Sequence, residues 1–109
     1  FTTTQNAPNL LTPANFATCQ NNSITFTWSA IPNSVSYQIQ VSEFANFSSF
    51  TNDTVVNGTV TSASLFISKG FTTFYWRVRS KIGTCNSDWS EVFEYQTKLG
   101  APQITYPLN

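Results

Sequence analysis

Between residues 74 and 80 the chain reads Phe74-Tyr75-Trp76-Arg77-Val78-Arg79-Ser80. Phe74, Trp76 and Val78 alternate with Tyr75, Arg77 and Arg79, and a period of two marks a strand with one dry face and one wet face. Large aromatic and β-branched side chains suit that conformation. Seven extended residues reach about 23 Å, enough to cross a small domain, so the stretch predicts the central strand of an antiparallel sandwich. The two arginines keep the wet face soluble and can lay their stems over neighbouring rings.

The same alternation recurs along the chain. Ser23–Trp28 predicts a strand with Ile24, Phe26 and Trp28 inward, and residues 37–41 predict another with Tyr37, Ile39 and Val41 inward and Gln38 and Gln40 outward. Ala63, Leu65 and Ile67 give a further strand. Residues 92–97 close the sheet, with Phe93 and Tyr95 inward and Glu94 and Gln96 outward. Residues 8–13 read as a short edge strand, because Pro8 and Pro13 cannot donate to an inner ladder. Residues 51–60 read as a weaker edge strand around Val55, ended by the turn dipeptide Asn57-Gly58. Residues 14–22 read as a polar connector, residues 82–88 as a loop containing Gly83, and residues 30–34 and Lys69-Gly70 as turns. Phe44, Phe47 and Phe50 stand three apart, a spacing that predicts one helical turn tucked under the sandwich. The sum is an all-β, seven-stranded immunoglobulin-like sandwich. Its expected core is Trp28, Tyr37, Ile39, Leu65, Phe74, Trp76, Val78 and Phe93, with Trp28 and Trp76 facing each other.

The chain also repeats itself. Ala7-Pro8-Asn9-Leu10-Leu11-Thr12-Pro13-Ala14-Asn15 returns as Ala101-Pro102-Gln103-Ile104-Thr105-Tyr106-Pro107-Leu108-Asn109, an offset of 94 residues. The same offset sets Phe1-Thr2-Thr3 against Tyr95-Gln96-Thr97. The expected organisation is one unit of a tandem array: residues 1–6 end a preceding repeat or linker, residues 7–100 form the domain, and residues 101–109 start the next repeat. No leader is visible, and Phe1 opens in mid-pattern.

Composition narrows the function. The 109 residues make one domain's worth of chain, with ten Phe, four Tyr and three Trp to fill a core. Five basic residues balance five acidic ones, so there is no electrostatic footprint for nucleic acid or an anionic membrane. No apolar run is long enough to insert in a bilayer. The absence of histidine removes the commonest general base and metal ligand. No paired carboxylates recur at a useful spacing, and four glycines make no phosphate loop. No cofactor and no catalysis are expected. Polarity carried by Thr, Ser and Asn suits a secreted, extracellular or cell-surface module.

The landmarks resemble a fibronectin type III domain over nearly the whole chain. They are the edge-strand prolines, Trp28, Tyr37, the Trp76-Arg77-Val78-Arg79 strand, Gly83, and Ser87-Asp88-Trp89-Ser90. Ser36-Tyr37-Gln38-Ile39-Gln40-Val41-Ser42, Asn46-Phe47-Ser48 and Tyr75-Trp76-Arg77-Val78-Arg79 are similar to repeats of large secreted bacterial surface proteins. One position departs from the family: Phe74 stands where a tyrosine hydroxyl usually anchors the corner before this strand. The corner is then held by packing, or by Tyr75 from the other face. Ser87-Asp88-Trp89-Ser90 resembles half of the tryptophan-serine motif of cytokine-receptor modules, in which strand arginines stack on tryptophan. That resemblance implies a surface ladder of Arg77, Arg79 and Trp89 that stiffens the sheet, with Glu94 adding a cross-strand pair.

The resemblance implies a non-catalytic spacer repeat of an adhesin-like protein, whose partners are adjacent repeats of the same chain. Two other readings stay open: a module binding glycan or protein through Tyr75, Phe66, Phe44 or Phe50, and an accessory domain of a secreted hydrolase. Four Asn-x-Ser/Thr sequons, at Asn21, Asn46, Asn52 and Asn57, arise readily in a chain so rich in Asn and Thr, and Asp53-Thr54-Val55 resembles a bacterial O-glycosylation site. In the sandwich topology Cys19 and Cys85 fall at opposite ends. A bond needs Cα atoms within about 7 Å, so no disulfide is expected inside one unit, whereas Cys19 of one repeat can approach Cys85 of the next.

Overall fold

The computed structural model describes residues 7–67 and 69–98. The expected ends of the neighbouring repeats, residues 1–6 and 101–109, lie outside the described residues. So do Leu99 and Gly100 of the joint. Nine strands form: β1 Leu10–Thr12, β2 Ala17–Gln20, β3 Ser23–Trp28, β4 Ser36–Ser42, β5 Asn52–Asn57, β6 Ser62–Phe66, β7 Thr73–Ile82, β8 Cys85–Asn86 and β9 Phe93–Thr97. One sheet has the order β1-β3-β6. The other has the order β2-β9-β7-β4-β5, with β8 paired to β7. All pairings are antiparallel except β2 with β9. Among the described residues no helix is long and apolar enough to cross a membrane.

Period-two burial dictates the layers. Along β3 Ile24, Phe26 and Trp28 are buried, along β4 Tyr37, Ile39 and Val41, and along β7 Phe74, Trp76 and Val78. Leu65 and Phe93 are half-buried against this cluster. Trp28 and Trp76 do not form a ring pair with each other. Trp76 meets Phe26 edge-on at 4.9 Å, and Trp28 tilts onto Tyr37 at 5.5 Å. Edge-to-face geometry lets a ring's positive rim meet a negative face. The Tyr37 hydroxyl also accepts from Ile31 N at 2.8 Å, tying the 30–34 turn to the core.

Three segments differ from the sequence expectation. Residues 14–22 are not a bare connector: after β1 the chain crosses to the other sheet and runs as β2 beside β9. Phe16 and Cys19 take positive φ (68° and 59°), and backbone bonds from Phe16 N to Glu94 O (2.7 Å) and Lys98 N to Gln20 O (2.8 Å) hold it. Residues 43–50 form no helical turn. Phe47 sits at φ 55° and its N bonds Phe44 O at 2.9 Å, while Ser42 Oγ accepts Phe44 N and donates to Ser49 O. Such side-chain bonds divert backbone from a helix. Only Phe47 of the three phenylalanines is buried. The 82–88 loop is shorter than expected: β7 runs on to Ile82, turns at Gly83 (φ 62°) and Thr84, and returns as β8. Gly58 is fixed by close approach, since a Cβ there would sit 2.0 Å from Ser34 O.

At the corner before β7, where Phe74 carries no hydroxyl, packing and a threonine hold the chain. Phe74 stacks on Tyr95 at 5.6 Å, Thr72 N donates to Thr97 Oγ1 at 2.9 Å, and Phe71 N donates to Lys98 O at 3.0 Å. Tyr75 hydroxyl makes no such bond among the described residues.

Candidate functional site

The outward face of β7 carries a dense constellation of charged and amide side chains. Alternation places Arg77, Arg79 and Lys81 on it, opposite Gln40, Gln38 and Ser36 of β4. Beyond β4, Asp53 of β5 stands opposite Gln40 and Val55 opposite Gln38.

The arginines are stacked. The Arg77 guanidinium lies 4.1 Å from the Phe47 ring centroid and 4.1 Å from that of Trp89, and Arg79 lies 4.4 Å from Trp89. The order is Phe47, Arg77, Trp89, Arg79. Each such contact contributes about 0.5 to 2 kcal/mol, more where water is excluded. Trp89 reaches this position through its flanking serines. Ser87 Oγ accepts Ser80 N at 3.0 Å and Ser90 Oγ accepts Val78 N at 3.0 Å, while Ser87 N and Ser90 N donate to Ser80 O and Val78 O, each at 2.8 Å. The serine segment therefore completes the ladder along β7 where β9 has not yet begun, and both serines are buried.

A hydrogen-bond relay holds the guanidinium groups from below. Arg77 donates through Nε (3.0 Å) and Nη2 (2.8 Å) to Gln40 Oε1, and Arg79 Nε donates to Gln38 Oε1 at 3.0 Å. Gln38 Nε2 donates to Asp53 Oδ1 at 2.8 Å and Gln40 Nε2 to Oδ2 at 3.2 Å. Desolvation, then the neighbouring Arg79 charge, lowers the Arg77 pKa from its usual value, with Asp53 opposing. Chemically the face offers fixed cations and amides. Among the described residues no group of three or more His, Cys, Asp and Glu gathers as for a metal.

Sequence reasoning placed Arg77, Arg79 and Trp89 on one face, and the structure brings them into contact. It missed Phe47, Gln38, Gln40 and Asp53, and the docking role of Ser87 and Ser90. Two outward glutamines opposite two outward arginines were the available signal. Glu94 stands opposite Tyr75 and makes no ion pair, since the salt bridge among the described residues is Lys69–Glu43 at 2.8 Å. The aromatics considered for sugar binding are scattered. Phe66 is on the outer face of the three-stranded sheet, Tyr75 on the other sheet, and Phe44 and Phe50 in the β4–β5 loop.

No protein-family model matches the chain, and no curated protein matches it. Solved structures do. The fn3 domain of human collagen alpha-1(XX) superposes with a TM-score of 0.74 at 14% identity, covering 97% of each chain. An Fn3-like protein from Clostridium thermocellum gives 0.67 at 18%, covering 95% of this chain and 100% of the other. A β-1,2-glucanase from Parabacteroides distasonis gives 0.68 at 18% over 88% of this chain, which spans 13% of that enzyme. The fold is that of the fibronectin type III domain, an all-β immunoglobulin-like sandwich.

Proposed function

We propose that this domain is a non-catalytic spacer repeat of a large secreted cell-surface or adhesin-like protein, stacked head to tail on copies of itself. The observation that carries the reading is the match between its two poles. Where the chain leaves the sandwich, Lys98 is bonded to Gln20 and Phe71, and Phe71, Phe44 and Phe50 are 61%, 50% and 47% exposed. The pole where β1 begins exposes Val35 (56%) and Val60 (38%). Residues 101–109 match residues 7–15 at the Ala, both Pro and the final Asn, so on this reading a second copy's entry pole follows at once on the first copy's exit pole. Apolar ends that meet in this way leave water together, at roughly 25 cal/mol per Å².

The test is calorimetry on a chain in which residues 7–100 are followed directly by a second copy. Coupled poles give one transition, above that of the single unit, which Phe71→Ser splits or lowers. Two transitions identical to the single unit would overturn the stacking. A second reading, an accessory domain of a secreted hydrolase, has the likeness to a segment of the glucanase behind it.

A further inference from the structure

Arg77 and Arg79 differ in what they have left to give. Arg77 lies between two rings and donates twice to Gln40. Arg79 rests one face on Trp89 and donates only Nε, so its two terminal nitrogens have no hydrogen-bond partner among the described residues. Two positions further along the same face Lys81 is exposed, and the described salt bridge, Lys69–Glu43, is at the other pole. Asp53, the carboxylate of this network, has both oxygens taken by glutamine amides. The cations therefore outnumber the anions here, and Arg79 adds to the lowering of the Arg77 pKa.

Strand register gathers these groups around a groove of about 250 Å³. Lys81 lies between Ser36 of β4 and Asn86 of β8, and the next row runs from Arg79 through Gln38 to Val55. We propose that this groove binds a carboxylate carried on a sugar ring, with Arg79 and Lys81 holding the carboxylate and Ser36 and Asn86 bonding ring hydroxyls. The guanidinium fork matches a carboxylate in two parallel bonds. Stacking on Trp89 and the bond to Gln38 already fix Arg79, so little side-chain freedom is lost on binding. The volume is below the roughly 300–1,000 Å³ of drug-sized pockets, which suits one ring. Hydroxyl and amide groups both donate and accept, as sugar hydroxyls do. Nothing in this site depends on the spacer role.

The test is a titration of the isotope-labelled domain, followed by amide NMR shifts, with three probes: a trigalacturonate, its carboxyl-reduced neutral counterpart, and a glutamate tripeptide. The uronate alone should give saturable shifts at millimolar concentration, centred on Ser36, Arg79, Lys81 and Asn86 and weakened by added salt. Lys81→Gln, at an exposed position, should keep the parent spectrum and weaken binding about tenfold or more, the loss of a charge-assisted bond. Arg79→Gln should also weaken binding, with spectral changes of its own confined to the Trp89 and Gln38 neighbourhood that its stacking and its bond hold. Absence of saturable shifts, equal shifts with the neutral sugar, tighter binding of the tripeptide, or unchanged affinity in Lys81→Gln would each overturn the proposal.

Discussion

Tyr95 is buried against Phe26 and Phe74, and its hydroxyl has no hydrogen-bond partner among the described residues. An unpaired buried hydroxyl adds no net bond and carries a desolvation cost, so Tyr95→Phe should unfold in urea within about 1 kcal/mol of the parent, or later. Burial also raises the phenol's pKa well above its usual value. A raised folded pKa keeps the neutral form favoured in the native state, so the corresponding stability is intact at neutral pH. It is lost as the unfolded phenol begins to ionise above about pH 10. Urea midpoints measured between pH 8 and about pH 11 should therefore fall at the alkaline end in the parent, and fall less in Tyr95→Phe. The inward alternation that buries Tyr95 was legible in the sequence. Its missing partner was not, because a hydroxyl's surroundings depend on which strands pack above it.

At the scale of elements, the legible strands were those with a side-chain period, together with β1, read from its flanking prolines. β3, β4, β7 and β9 bury alternate residues, and each follows from that pattern. β2 has no alternation; positive-φ residues and main-chain bonds to β9 place it, and neither leaves a mark in hydrophobicity. β8 was hidden for a similar reason, since two residues are too few to show a period. The 87–90 segment is an intermediate case: the motif was visible, but the mechanism that seats Trp89 was not. Because Ser87 and Ser90 hydroxyls accept the buried Ser80 and Val78 amides, removing either leaves a buried N–H unsatisfied. Ser87→Ala and Ser90→Ala should each cost about 1–3 kcal/mol, with loss of the Trp89 fluorescence environment. Ser64→Ala, on the exposed face of β6, should stay within about 0.5 kcal/mol. Equal, small effects at all three sites would mean that the serines do not hold the ladder.

At the scale of the molecule, β7 links two poles that chemistry keeps apart. Cys85 pairs with Ile82, the last residue of β7, whereas Cys19 lies beside the end of β9, which pairs with the start of β7. Ten extended residues span about 34 Å, far beyond disulfide reach, and both thiols are free and exposed. Peptide mapping of the non-reduced single domain should find no Cys19–Cys85 pair in the monomer. The opposite poles were legible from strand order alone. The apolar residues crowding the exit pole were not, because the expected helical turn would have hidden them. If the domain is a spacer, those residues make successive copies a rod rather than beads on a string. Small-angle X-ray scattering on the doubled 7–100 chain tests that claim most directly. The account predicts a narrow pair-distance distribution with a maximum dimension about twice that of one unit (roughly 70 Å of stacked strand), unchanged between low and high salt. A broad, salt-dependent distribution typical of two freely swivelling domains would contradict it.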